Sequence, residues 1–423
     1  MSSSSSSSLA GRIRFARALD SKPFALVWSG QTISALGDGI TITALAWQVL
    51  VLTGSGTAMG VVLVAQSVPR VLFLLLGGVL ADRFSRRGVM LWSDAVRGIA
   101  VAAIAILGWM NLLQLWHLVV LGAIFGLASA FFIPSYQSIP PQLVSGDQLP
   151  SANALNGLSR QLSQLFGPAL GAFCVARVGT SAAFALDALS FAASALCLAA
   201  IHVPPLPKTD RDDARQRGPR GMVADIREGL GYVVRSSWLW VTIAVAALLN
   251  VGVAPMQVAM PKLIKDVYHQ DVWLLGAIGT ATAVGSVVTM LLIGQMKRLR
   301  HRGILGYGGL LLSGVALLAY GLPLPHQYAP VLAISASVCF GVGLAVFEII
   351  WVTSLQELVP PEKLGRVSSV DWVGSLALAP VGLAIVGVLT DHIGPSWVFL
   401  AGGALNTLLI LLAFMVPGIR RLD

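Results

Sequence analysis

Three charged residues interrupt long apolar runs: Asp38, Arg70 and Glu348. An ionisable group inside a spanning helix costs about 3 kcal/mol on insertion scales, so each needs a partner, a wet cavity or a role. Asp38 lies about 14 residues into the first run, roughly 21 Å along a helix rising 1.5 Å per residue, which is near mid-bilayer. Arg70, after Pro69 in the second run, lies about 12 residues from the same face. The two are expected to face each other, as a structural ion pair or as a proton-coupling pair. Glu348 has no Lys or Arg in its own stretch from Gly303 to Gln356. It can exchange a proton or attract a cationic solute; the plainer reading is a glutamate near enough to its helix end to reach water.

Four further charges form a second set. Asp94 and Arg97, three apart, share one helix face and are expected to satisfy each other. Arg160 and Asp371 occupy nearby positions of an internal repeat and can pair when the cavity is closed on their side. Asp187 is expected near the outer end of its helix, reaching water, and is given no role.

The elements that hold these residues follow from composition. The 423 residues are 56% hydrophobic and 11% charged, with a mean hydropathy of +0.80. A soluble protein carries about 25% charged residues, so the solvent for most of this surface is lipid. A span needs about 20 mostly apolar residues. That criterion predicts twelve spans, at 24–50, 56–81, 88–109, 113–135, 151–177, 180–202, 236–261, 272–296, 303–323, 328–354, 364–390 and 394–416: an all-α integral membrane protein. Cys174, Cys197 and Cys339 fall inside apolar runs without paired spacing and read as packing residues.

Of the 28 Lys and Arg, 22 fall on the side shared with the N-terminus and three on the other, the rest lying inside spans. Positive loops are retained in the cytoplasm, which predicts a multi-pass cell-membrane protein with both termini inside. The organisation expected is a disordered basic N-terminus (1–23), a six-helix bundle (24–202), a central cytoplasmic loop (203–235), a second bundle (236–416) and a cytoplasmic tail (417–423). Met222 to Val234 is expected as a surface helix. Shifting the chain by 215 residues pairs Phe125 with Phe340, Gly126 with Gly341, Phe132 with Phe347, Leu143 with Leu358 and Gly179 with Gly394. One register across three helices and two loops indicates a parallel repeat of the six-helix unit.

The second and third spans are joined by Gly78-Val79-Leu80-Ala81-Asp82-Arg83-Phe84-Ser85-Arg86-Arg87. This stretch resembles the G-x-L-x-D-R-x-G-R-R signature of the major facilitator superfamily, with Ser85 in place of a glycine. Gly167-Pro168-Ala169-Leu170-Gly171-Ala172 resembles that family's antiporter motif, G-P-x-x-G-G, with alanine last. Proline bends a span, and glycines let a neighbouring helix approach. Leu355 to Val367 and Pro69-Arg70 are similar to the branch of siderophore exporters and macrolide efflux pumps. The resemblance implies two bundles around a midplane site. It also implies a gate in which Asp82, within Gly78, Arg83, Arg86 and Arg87, meets the N-terminus of the eleventh helix at Gly365 and Arg366. The equivalent loop of the second half, Gly294 to Arg302, has Arg298 where the first has Asp82. Cavity walls from helices 1, 4, 7 and 10 bring in Asn250, Met256, Gln257 and Trp351.

The chain has no G-x-x-x-x-G-K-[ST] loop, zinc spacing or catalytic triad, so an enzyme or ATP-driven pump is not expected. The bases lie in short loops, not in one stripe, so no nucleic-acid partner is expected. The expectation is a monomeric secondary transporter without cofactor, with protons as coupling ion, exporting a bulky amphipathic molecule such as a drug or siderophore-like metabolite. The alternatives are an importer or facilitator on the same fold and a non-transporting sensor.

Overall fold

Glycine and proline set where the helices end. The computed structural model describes residues 16–203, 227–296, 301–323 and 325–420, with backbone alone at 75–83, 361–362 and 420. Among them, twelve long helices follow one another: α1 (Lys22–Thr53), α2 (Gly56–Arg83), α3 (Arg86–Trp109), α4 (Leu115–Ser138), α5 (Leu149–Val178), α6 (Thr180–Ala200), α7 (Ser237–Val253), α8 (Val272–Gly294), α9 (Arg302–Tyr320), α10 (Ala329–Leu358), α11 in two segments (Pro361–Leu376 and Ala379–Ile393) and α12 (Pro395–Phe414). Eleven of them are long and apolar enough to cross a membrane. The other, α5, is 30 residues long, but Ser151, Asn153, Asn156, Ser159, Arg160, Gln161, Ser163 and Gln164 make its first half polar. Large apolar side chains such as Ile42, Ile99 and Leu196 stay exposed, as a lipid-facing surface requires.

Two spans depart from the sequence prediction. The seventh, expected as one helix over 236–261, stops at Val253 and continues as short helical pieces, Pro255–Val258 and Met260–Lys262, with a π turn at Leu263–Val267. Pro255 and Pro261 each remove a backbone donor, which accounts for the breaks. The eleventh, expected over 364–390, starts at Pro361 and breaks before Pro380. The predicted surface helix at 222–234 is helical at 227–235; the rest of it, most of the central loop and the N-terminal serine run lie outside the described residues.

Contacts divide the chain into two units. The first comprises Met1–Leu45 and Ala65–Gln216, the second Ala46–Val64 and Arg217–Asp423. In the first, Phe24, Val27, Met90, Phe132, Ile139, Leu143, Leu155 and Leu198 form a buried core, and Trp28 Nε1 donates to the Leu155 carbonyl at 3.0 Å. In the second, Tyr307, Leu310 and Ile410 centre one core, while Leu239, Leu355 and Val367 centre another, to which Val233 of the helix at 227–235 belongs.

The units repeat one design. Gly179 ends α5 at φ +87° and Gly394 ends α11 at φ +86°, a backbone that favours glycine. A Cβ on Gly126 would sit 1.9 Å from the Gln66 carbonyl oxygen, and one on Gly341 would sit 2.0 Å from that of Thr282. Thus α2 meets α4 as α8 meets α10, backbone against backbone. One departure from the expected division, 24–202 and 236–416, is the placing of residues 46–64 with the second unit. There Asp391, on the second segment of α11, accepts from Ser55 Oγ at 2.6 Å, Gly56 N at 2.8 Å, Thr57 N at 2.9 Å and Lys262 Nζ at 2.8 Å. This carboxylate caps the start of α2.

Candidate functional site

Polar residues in the first unit recur at helical spacing. Gln31, Ser34, Asp38 and Thr41 line one face of α1, Asp94 and Arg97 lie three apart on α3, and Asp187, Ser190 and Ser194 follow the same rhythm on α6. The Asp94–Arg97 ion pair is buried, as the spacing predicted. Asp94 also accepts from Ser194 Oγ at 2.7 Å and Gln31 Nε2 at 3.3 Å, and Gln31 donates to Ser194 at 2.6 Å. The Arg97 guanidinium lies 4.0 Å from the ring centre of Phe132 and 4.7 Å from that of Phe191. Buried charge is tolerated here because the Asp94 carboxylate is ion-paired and hydrogen-bonded and the guanidinium lies over aromatic faces.

Asp38 and Asp187 extend this network. Both are close enough to interact electrostatically with each other and with Arg97, and Asp38 also with Asp94. The predicted Asp38–Arg70 pair is not formed: Arg70 is exposed, while Asp38 has Arg97 as its nearby cation. Depth was read from residue count, which leaves rotation about the helix axis open. Asp187 is fully buried, not in reach of water as expected. It accepts from Thr41 Oγ1 at 2.7 Å and Ser190 Oγ at 3.1 Å. Sequence reasoning passed over Gln31, Thr41 and Ser194; their seven- and three-residue spacing beside the acids was the signal.

The Gly167-Pro168-Gly171 motif is where α5 meets α1. A Cβ on Gly167 would lie 2.7 Å from Gly39 Cα, and one on Gly171 would lie 2.8 Å from the Ile40 carbonyl oxygen. Ser163 donates to the Ala35 carbonyl just below. In the charged loop, α2 runs through Gly78 to Arg83, and the side chains of Asp82 and Arg83 lie outside the described residues. Ser85, in the place of the expected glycine, is the N-cap of α3 and accepts from Gly88 N at 3.2 Å. Arg86 donates to the Ser138 carbonyl, and Arg87 donates to those of Leu198 and Ala199 at 2.7 and 2.8 Å. These arginines tie the loop to the C-terminal ends of α4 and α6. In the equivalent loop, Lys297 to Arg300, including Arg298, lies outside the described residues.

In the second unit Asp371 accepts from Trp351 Nε1 at 2.9 Å and Ser375 Oγ at 3.2 Å. Asn250 donates to the carbonyls of Ala246 and Ser375, both at 3.0 Å, holding α7 to α11. Met256 is half-buried, whereas Gln257 and Glu348 are exposed. Arg366 pairs with Glu228 at 2.6 Å. Gly365 and Arg366 do not open α11 as expected, because Pro361 starts the helix four residues earlier. Arg160, in the first unit, is exposed and interacts electrostatically with Tyr136.

Known proteins are similar to this chain in sequence and in fold. Macrolide efflux protein A of Streptococcus pyogenes is 24% identical over 401 residues, covering 95% of this chain and 97% of that protein. Multidrug efflux pump Tap of Mycobacterium tuberculosis is 29% identical over 424 residues, covering 95% of each. Nucleoside transporter NupG has the same fold, with a TM-score of 0.71, 14% identity and coverage of 93% of this chain and 98% of that one. So does a bacterial homologue of the iron transporter ferroportin, with a TM-score of 0.69, 16% identity and coverage of 92% and 98%. A sequence model of the Major Facilitator Superfamily matches residues 27–379. With that match spanning most of its length, the chain belongs to the Major Facilitator Superfamily of membrane transporters.

Proposed function

We propose that this transporter exports bulky amphipathic small molecules by alternating access in exchange for protons, as a monomer in the cell membrane with both termini in the cytoplasm. Its likeness along nearly all its length to proteins named for macrolide and multidrug efflux supports export. The distribution of Lys and Arg supports the orientation.

One observation carries the coupling. Arg97 pairs with Asp94, and Asp38 and Asp187 lie within electrostatic range of the same guanidinium. One of the outer two acids can take up and release a proton while Asp94 keeps Arg97 paired. Such a cluster changes charge without breaking its central ion pair, as an antiporter requires. Glu348, exposed on α10, is the candidate for drawing a cationic solute.

Proteoliposomes test this reading. With an imposed proton gradient, the wild type is expected to move a macrolide, and Asp38→Asn to insert and bind it without coupled movement. Equal transport with and without the gradient would make the protein a facilitator and remove the proton step.

A further inference from the structure

The two units differ where they should match. Helices α3 and α9 open on Arg86 and Arg302, and four residues further the first unit has Met90 and the second Gly306. Helices α4 and α10 keep the 215-residue register, so seven residues beyond Phe132 and Phe347 stand Ile139 and Ser354. Met90 and Ile139 are among the largest fully buried side chains and pack in one core with Phe132. Their counterparts have almost no side chain. The place is filled in one repeat and hollow in the other.

The hollow is a small pocket, open on one side, with Arg302, Ser354 and the rings of Trp238, Tyr307, Phe347 and Trp351 in its lining. Arg302, its side chain 11% exposed, gives Nη2 to Glu357 Oε2 at 2.5 Å. Its Nε and Nη1 are enclosed without an acceptor, and so is the hydroxyl of the fully buried Ser354. The neighbouring Thr353 donates back to the Ile349 carbonyl in the usual helical way. Buried donors are nearly always matched, and here two side chains that line one space carry unmatched ones.

We propose that this pocket binds a phosphate group, from the headgroup of a membrane lipid or from a free phosphate ester. A tetrahedral oxyanion offers several acceptor oxygens to Arg302 Nε, Arg302 Nη1 and Ser354 Oγ. The four aromatic rings receive the apolar part next to it. Glu357, half exposed, competes for the same guanidinium.

The test uses the purified full chain with three probes: short-chain phosphatidic acid, the matching diacylglycerol and inorganic phosphate. Binding is read by native mass spectrometry and by the shift in melting temperature. Phosphatidic acid is expected to bind and stabilise, and the diacylglycerol is not. Glu357→Gln should tighten binding and Arg302→Gln weaken it, each by about tenfold, the scale of one charge-assisted hydrogen bond. Gly306→Met, which installs the first unit's residue, should abolish binding while the unliganded protein melts as the wild type does. Stabilisation by inorganic phosphate to the same extent assigns a free phosphate ester, and stabilisation only with acyl chains assigns a lipid. No shift with either phosphate probe, or a shift that survives Gly306→Met, overturns the site. Where Gly306→Met fails to fold, unchanged binding in both Ser354→Ala and Glu357→Gln overturns it equally.

Discussion

Asp391 and Lys262 lie 129 residues apart and meet at 2.8 Å, each largely shielded from solvent. The same carboxylate receives Ser55 Oγ and two backbone N–H groups at the start of α2. Asp391→Ala should therefore lower the melting temperature of the purified protein further than Lys262→Ala. A double-mutant cycle should give a coupling of roughly 1 kcal/mol, at the upper end for pairs that water still reaches. Coupling indistinguishable from zero would make the contact incidental.

Arg97 has one anionic partner, Asp94, and three aromatic neighbours. Arg97→Ala leaves a buried carboxylate without its cation, a change that costs about 3–5 kcal/mol in comparable sites. Asp94→Asn with Arg97→Gln removes both charges together and should recover much of that loss. Yield of monodisperse protein and its melting temperature measure both. If the double variant is no better than Arg97→Ala alone, charge is not what the network balances.

Gly167 leaves no space for a side chain facing Gly39. Gly167→Val should push α5 from α1, with a penalty of about 1–3 kcal/mol or more, as overpacking elsewhere costs. Pro168→Ala, which alters the bend but not the contact, should cost less. Thermal unfolding of the two proteins side by side decides the order.

Ser85 stands where the resembled signature has glycine, and here it caps α3. Ser85→Ala should cost about 1 kcal/mol and Ser85→Gly only a few tenths, the usual spread at an N-cap. The serine is thus close to neutral against glycine. A loss on Ser85→Gly as large as on Ser85→Ala would argue against the cap.

The twelve helices and their repeat were legible because lipid leaves a chain few options: each span has to be long, apolar and closed on its own hydrogen bonds. The Asp94–Arg97 pair was legible because both residues lie within one turn. What failed was rotation. Counting residues set Asp38 and Arg70 at like depth, yet Asp38, on the face with Gln31, Ser34 and Thr41, lies within electrostatic range of Arg97, while Arg70 is exposed. Asp187 was misread for a related reason, since its partner Thr41 comes from a helix distant in sequence. The hollow beside Arg302 was hidden because glycine and serine at single positions carry no signal until both repeats are laid side by side.

The interruptions of α7 bear on how its chemistry can be probed. Pro255 and Pro261, six residues apart, each lack the amide a continuous helix would offer, and the Val251 carbonyl accepts instead from Ala254 N at 3.3 Å. Pro255→Ala and Pro261→Ala each return one amide to the main chain, so melting these two variants reads the breaks themselves, apart from any side chain in the segment.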